Sequence, residues 1–220
     1  VSFATGALLS AAFFDVLPES FAGLQPEAAL PVVLAGILTF FIFEKFFWHH
    51  HHESHSPKNG HRHAHAGKEK PLGYLTLLGS LTHNFFDGVA IAAAFLTSVP
   101  LGLATTLAIA LHEIPHELGD FGLLLYSGFS KTRATLLNLA TGIASVLGGI
   151  AFFYFAPHVS QLESYALAFT GGTFIYIAAA DLVPELHKEH KLGRSLAQLA
   201  FVALGIAVIW FVSTTLEHGG

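Results

Sequence analysis

The 220 residues are 53% hydrophobic and only 11% charged, with a mean hydropathy of +0.59. A soluble domain carries roughly 25% charged residues, so this composition places the chain in a membrane. The absence of cysteine excludes disulfides, iron–sulfur clusters and thiolate metal sites. The net charge of −5 sums residues from both sides of a bilayer and says little about partners, and no nucleic-acid partner is expected.

The chain opens at Val1, with no charged region ahead of an apolar core, which argues against a signal peptide and for a missing natural N-terminus. Seven apolar stretches, near 2–21, 30–48, 72–96, 101–127, 133–156, 163–186 and 194–216, are long enough to cross the bilayer at ~20 residues per span. The expected fold is an all-α, polytopic helix bundle forming one transmembrane domain over 1–220. Pro26, Pro31, Pro71, Pro100 and Pro157 fall at or near the joints, where chain breaks are expected. One joint is long: residues 49–70 form a polar, low-complexity segment expected to be disordered. It holds His49, His50, His51, His52, His55, His61, His63 and His65, read as a weak cytoplasmic collector of metal ions. Beside it, Lys45, Phe46, Phe47 and Trp48 have the character of an interfacial belt.

With seven spans, all ten basic residues fall on one side of the membrane. The positive-inside rule then makes the joints at 49–70, 128–132 and 187–193 cytoplasmic and sends the C-terminus to the other side. An internal repeat follows the same geometry. The first span ends Asp15-Val16-Leu17-Pro18-Glu19 and the sixth ends Asp181-Leu182-Val183-Pro184-Glu185. Such spans run in opposite directions, as do the third and fourth, so a two-fold axis in the membrane plane would exchange one with six and three with four. Secondary transporters are built on such inverted repeats and hold their site at the midplane between them.

The third span carries His83, Asn84 and Asp87 near its middle, and the fourth carries His112, Glu113 and His116. His83 shares a helix face with Asp87, and His112 with His116, each pair four residues apart. Pro115 has no N–H to offer the Leu111 carbonyl, so a kink is expected there. A charge at the bilayer centre costs at least ~2.5–3.5 kcal/mol even on lenient scales. Several acids with no Lys or Arg near the span centres therefore call for protons or a bound cation. Imidazole and carboxylate are a ligand set for zinc and related ions. His83, Asp87, His112 and His116 suffice for one tetrahedral ion, and Asn84 with Glu113 would begin a second position. Asp15 and Glu19 are candidates for the outer mouth of a path, Asp181 and Glu185 for the inner mouth, and Glu117 and Asp120 for the exit side.

HNFFDG (83–88) on one span and HEIPHELGD (112–120) on the next resemble the ZIP family of metal-ion importers, in particular its subgroup with the HExPHExGD signature. The likeness covers essentially the whole chain, the His-rich segment and the D-x-x-P-E ends included. It implies eight spans in the family against seven here, and a binuclear metal centre between the third and fourth spans of this chain. His83, Asp87, His112 and His116 correspond to the transport site, and Asn84, Glu113 and Asp87 to the second metal position. His112 leans toward zinc. The implied activity is import of a divalent metal, zinc preferred, by alternating access, with zinc as cargo rather than cofactor. The partners expected are the lipid bilayer and divalent ions, with a homodimer as one option for the assembly.

Two other readings attach to the same residues. His112-Glu113-x-x-His116 is literally H-E-x-x-H, the zinc helix of metalloproteases, in which the Glu is general base to a zinc-bound water. Against it, Pro115 lies inside the motif and the third span supplies two further ligand-type groups. A cation-diffusion exporter also uses His-x-x-x-Asp on helices, but it would need six spans and usually a soluble metal-binding C-terminal domain.

Overall fold

The computed structural model describes residues 1–52 and 70–217, with side chains for 1–45 and 72–215. Among the described residues the fold is helical throughout, in seven rods that match the predicted spans. The first rod is α1 (Ser2–Ser10), a π-helical segment (Ala11–Val16) and α2 (Leu17–Gly23). Then come α3 (Pro26–His52), α4 (Lys70–Thr97) and α5 (Val99–Tyr126). The fifth rod is α6 (Lys131–Thr141) with α7 (Ile143–Phe155), ended by a 3₁₀ turn (Ala156–His158). The sixth is α8 (Leu162–Tyr176), a second π-helical segment (Ile177–Leu182) and α9 (Val183–Leu186), and the last is α10 (Leu192–Glu217).

Local chemistry sets several of these boundaries. Ser98 Oγ accepts from the Leu101 N–H at 3.2 Å and caps α5, where Pro100 sits in the first turn and needs no donor. Gly128, at φ 85°, makes the left-handed turn between α5 and α6. One expectation about proline changes: Pro31 lies inside α3 and breaks nothing. Helix α5 likewise continues through Pro115, where a kink is expected. Neighbouring helices hold such prolines in place where an isolated helix would break. The backbone of His49–His52 continues α3, and residues 53–69 lie outside the described residues, as do the side chains of all the histidines predicted to collect metal.

Four rods contain stretches long and apolar enough to cross a membrane: Pro26–Lys45, Lys131–His158, Leu162–Leu186 and Leu192–Thr215. Helices α4 and α5 are long enough but carry the polar clusters, which dilute their apolar character. Large apolar side chains cover the outside of the bundle, for example Leu139, Leu147 and Phe153 on the fifth rod and Leu199, Phe201 and Phe211 on α10. Bare apolar exteriors of this extent suit lipid rather than water. The inside is packed with small residues, among them Ala7, Ala11, Ala93, Ala94, Ala104 and Ala108. Close approach of backbones is the source of cohesion between helices in lipid.

The repeat is deeper than its five-residue signature. Each D-x-x-P-E begins inside a six-residue π-helical segment, with the aspartate at its fifth position. The Leu17 N–H bonds to the Ala12 carbonyl and the Val183 N–H to the Ala178 carbonyl, the i to i−5 pattern in both cases. A proline clashes with the carbonyl four residues earlier, and a widened turn ahead of Pro18 and Pro184 relieves that clash. The packing repeats too. Helix α1 lies along α10 and α8 along α3, while α4 and α5 pack against each other. Gly6 touches the Val202 carbonyl where Gly172 touches that of Val33, and Gly205 touches the Phe3 carbonyl where Gly36 touches that of Phe169. A Cβ at any of the four would collide with backbone, so these glycines fix the helix spacing of both halves.

Candidate metal centre

The centre lies where α4 and α5 pack together. His83 and Asp87 point from one helix and His112 and Glu113 from the other, and one ligand atom from each lies within 4.8 Å of the rest. His83 Nε2 is 2.9 Å from Glu113 Oε1, 3.3 Å from His112 Nε2 and 3.5 Å from Asp87 Oδ2. His112 Nε2 is 3.5 Å from Asp87 Oδ2 and 3.8 Å from Glu113 Oε1. A tetrahedral zinc with bonds of about 2.0–2.1 Å holds its ligand atoms about 3.3–3.4 Å apart. Five of the six separations bracket that value, and the sixth, Asp87 to Glu113, lies within 4.8 Å.

The second shell favours the same use. His112 Nδ1 faces the Ala108 carbonyl at 3.2 Å, which selects the tautomer protonated on Nδ1 and leaves Nε2 as the free donor to a metal. Phe174 stands edge-on to His112 and Phe40 to His83. His83, Asp87 and His112 are all buried, and Asp87 Oδ2 and Glu113 Oε1 face the imidazole nitrogens of His83 and His112. Among the described residues no Lys or Arg pairs with either carboxylate. Buried carboxylates of this kind need a cation, which makes the arrangement costly unless an ion visits it.

The other predicted residues fall into distinct places. His116 stacks on His83 with ring centroids 4.6 Å apart, and its Nδ1 turns to Asp120 Oδ2 at 3.6 Å, one step from the four-atom group. Asn84 is buried on the side of α4 that faces α7. Its amide donates to the Ser80 carbonyl at 3.0 Å and its oxygen accepts from Ser145 Oγ at 3.1 Å. Glu117 faces Asn84 and Thr141, and its carbonyl accepts from Asn138 Nδ2 at 3.0 Å. Asp15 is buried and accepts from Ser213 Oγ on α10, while Glu19 is exposed. Asp181 and Glu185 are both exposed, and Glu185 pairs with Lys188.

A cavity of about 890 Å³ runs from the centre past some of these residues. His83, His112 and His116 line it at the centre, and Asp120, Asp181 and Glu185 line it toward the 187–193 joint. Among the lining residues that escaped the sequence reading are Glu44 on α3 and Tyr176 on α8, whose hydroxyl donates to the Glu44 carboxylate. Glu44 precedes Lys45 at the end of a span, where an acid next to a base reads as a solvated helix end. Ser145 and Ser213 were missed because a lone serine in an apolar span carries no periodic signal.

The profile of the family described as ZIP Zinc transporter matches residues 48–213. The chain belongs to this family. It is 40% identical over 95% of its length to Zinc transporter ZIP13 of Pongo abelii, covering 64% of that protein. Against Zinc transporter ZIP13 of Homo sapiens the identity is 37% over 95% of this chain and 68% of the relative. The Drosophila melanogaster protein called Zinc transporter ZIP13 homolog is 34% identical over 99% of this chain and 78% of its own length. The chain thus spans about two thirds of the length of the first two relatives. The family is one of transporters and not of enzymes, so the protease reading of His112-Glu113-x-x-His116 finds no support. The structure places Glu113 among the ligand atoms, together with Asp87 and His83 from the neighbouring helix.

Proposed function

We propose that this chain carries a divalent metal cation, zinc preferred, across the bilayer through the group formed by His83, Asp87, His112 and Glu113. The observation that carries the reading is that group itself: four ligand atoms at near-tetrahedral spacing, buried, with no basic side chain to balance the acids. Two imidazoles with two carboxylates suit zinc better than manganese or magnesium. The relatives' names, zinc transporters all, point the same way. Asn84, His116, Glu117 and Asp120 lie close enough to take part in passing the ion on, and Asp181 and Glu185 stand at the far end of the same cavity.

The direction we propose is inward. Seven described basic residues, Lys45, Lys70, Lys131, Arg133, Lys188, Lys191 and Arg194, belong to the joints that the 187–193 end shares, and the positive-inside rule favours a cytoplasmic side for that end. The cavity from the centre opens toward it, which would give the ion a route to that side. Alternating access around the centre is supported by the two equivalent half-structures, one on each side of α4 and α5. The test is zinc uptake into proteoliposomes. His83→Ala combined with His112→Ala is expected to abolish it, and uptake that survives both changes would sink the proposal.

A further inference from the structure

The two repeats place their aspartates in equivalent positions but in different surroundings. Asp15 and Asp181 are 166 residues apart, as are Gly6 and Gly172, and Phe3 and Phe169. On the partner helices the offset is 169: Gly36 matches Gly205 and Val33 matches Val202. The same offset pairs Glu44 with Ser213. At one pole Ser213 Oγ donates to Asp15, which is only 7% exposed, and we take that buried contact as the closed form of a pole. At the other pole Asp181 is exposed, Glu44 is held by the Tyr176 hydroxyl, and the cavity is open between them.

We propose that Glu44 is a gate-positioning residue: its carboxylate keeps the Asp181 end of the cavity open, and this end closes only when the charge between Glu44 and Asp181 is neutralised. The inference rests on the transporter reading, because it supposes that the open pole closes as the shut pole has closed. Closure in the image of the shut pole would set Asp181 against position 44 as Asp15 is set against Ser213. A serine can donate to a carboxylate, so that contact adds no second negative charge to the outer pole. A glutamate cannot, and two carboxylates brought together in a low-dielectric gap repel strongly. The neighbouring bases do not relieve this. Lys45 lies over the Phe41 ring and Lys188 pairs with Glu185. Tyr176 donates to Glu44 without cancelling its charge. The other charged or titratable groups lining the cavity are the Val1 amine, Asp120 and Glu185, with His83, His112 and His116 at the centre.

The chain has no cysteine, so a single introduced thiol reports accessibility without background. Thr76 lines the cavity on α4 and is not part of the centre. In membranes, Thr76→Cys is labelled with a membrane-impermeant thiol reagent from the 187–193 side, alone and combined with Glu44→Gln, Glu44→Asp or Ser213→Ala. Glutamine keeps an acceptor for Tyr176 and removes only the charge. It is expected to slow labelling by roughly fivefold or more as the closed population grows. Glu44→Asp should label like the parent. Ser213→Ala, which loosens the shut pole, should also slow labelling. Glu44→Gln labelling at the parent rate would overturn the proposal, as would equal slowing by Glu44→Asp, which would point to packing rather than charge. Labelling does not depend on flux, so a failure of the gate is distinct from a failure of zinc uptake by the parent protein.

Discussion

The α1–α10 pair and the α8–α3 pair are two copies of one construction with two outcomes. Both join a glycine-spaced helix crossing to a π-helical turn, an aspartate and a proline. The first copy buries its aspartate against a serine, and the second leaves its aspartate open beside a glutamate and a tyrosine. Shared backbone geometry therefore sets where the two poles are, and a few side chains set how each pole behaves. The metal group lies between them, on the two helices that the repeat exchanges.

The largest effect expected belongs to that shared element. An outer-shell change typically costs about 10–100-fold in metal affinity, and loss of a ligand costs more. His112→Ala should therefore lower zinc affinity by more than that range in a competition titration, irrespective of either pole. Equal affinity in the variant and the parent would place the ion elsewhere.

Next come the crossings. A side chain forced into a packed contact costs about 1–3 kcal/mol and often more where backbone is the neighbour. Gly6→Leu and Gly172→Leu are expected to lower thermal stability in detergent by similar amounts, because each meets a backbone carbonyl in the same way. A large loss at one and none at the other would break the equivalence of the two halves.

The hydroxyl contacts should then separate the halves. Ser213→Ala takes a donor from a buried carboxylate, which costs about 1–3 kcal/mol. Tyr176→Phe takes a donor from a half-buried carboxylate that water can reach through the cavity, and about 0.5–1.5 kcal/mol is expected at most. Denaturation midpoints of the two variants compare them directly, and the reverse order would mean that the open pole is the tighter one. The smallest effect is at Glu185. Its pairing with Lys188 is solvent-exposed, so Glu185→Gln should change stability by about 0–1 kcal/mol.

Much of this was legible in the sequence, for physical reasons that differ by element. Helix spans are written in apolar run length, and all seven rods lie within a few residues of the predicted stretches. The pairing of His83 with Asp87 follows from four-residue spacing on a helix, and the four-residue partner of His112 is equally visible as His116. Reach is another matter. Glu113 starts about 100° round the helix from His112, yet its carboxylate comes within 2.9 Å of His83, while the shorter, rigid His116 turns toward Asp120. Spacing gives the face of a helix and not the reach of a side chain. The repeat shows the same division. D-x-x-P-E is visible because proline and the acids are rare in spans, whereas the glycine crossings are hidden among many small residues and use a second offset on the partner helices. The π-helical turns needed the structure, since no residue pattern distinguishes them from an ordinary turn before proline.

The most direct measurement is a zinc-soaked crystal read by anomalous scattering at the zinc edge. The expected result is a peak between α4 and α5 bonded to His83, Asp87, His112 and Glu113, at about 2.0–2.2 Å from each ligand atom. Zinc bound elsewhere in the bundle, with these four side chains left unligated, would contradict the assignment of this group as the place where the cargo is held.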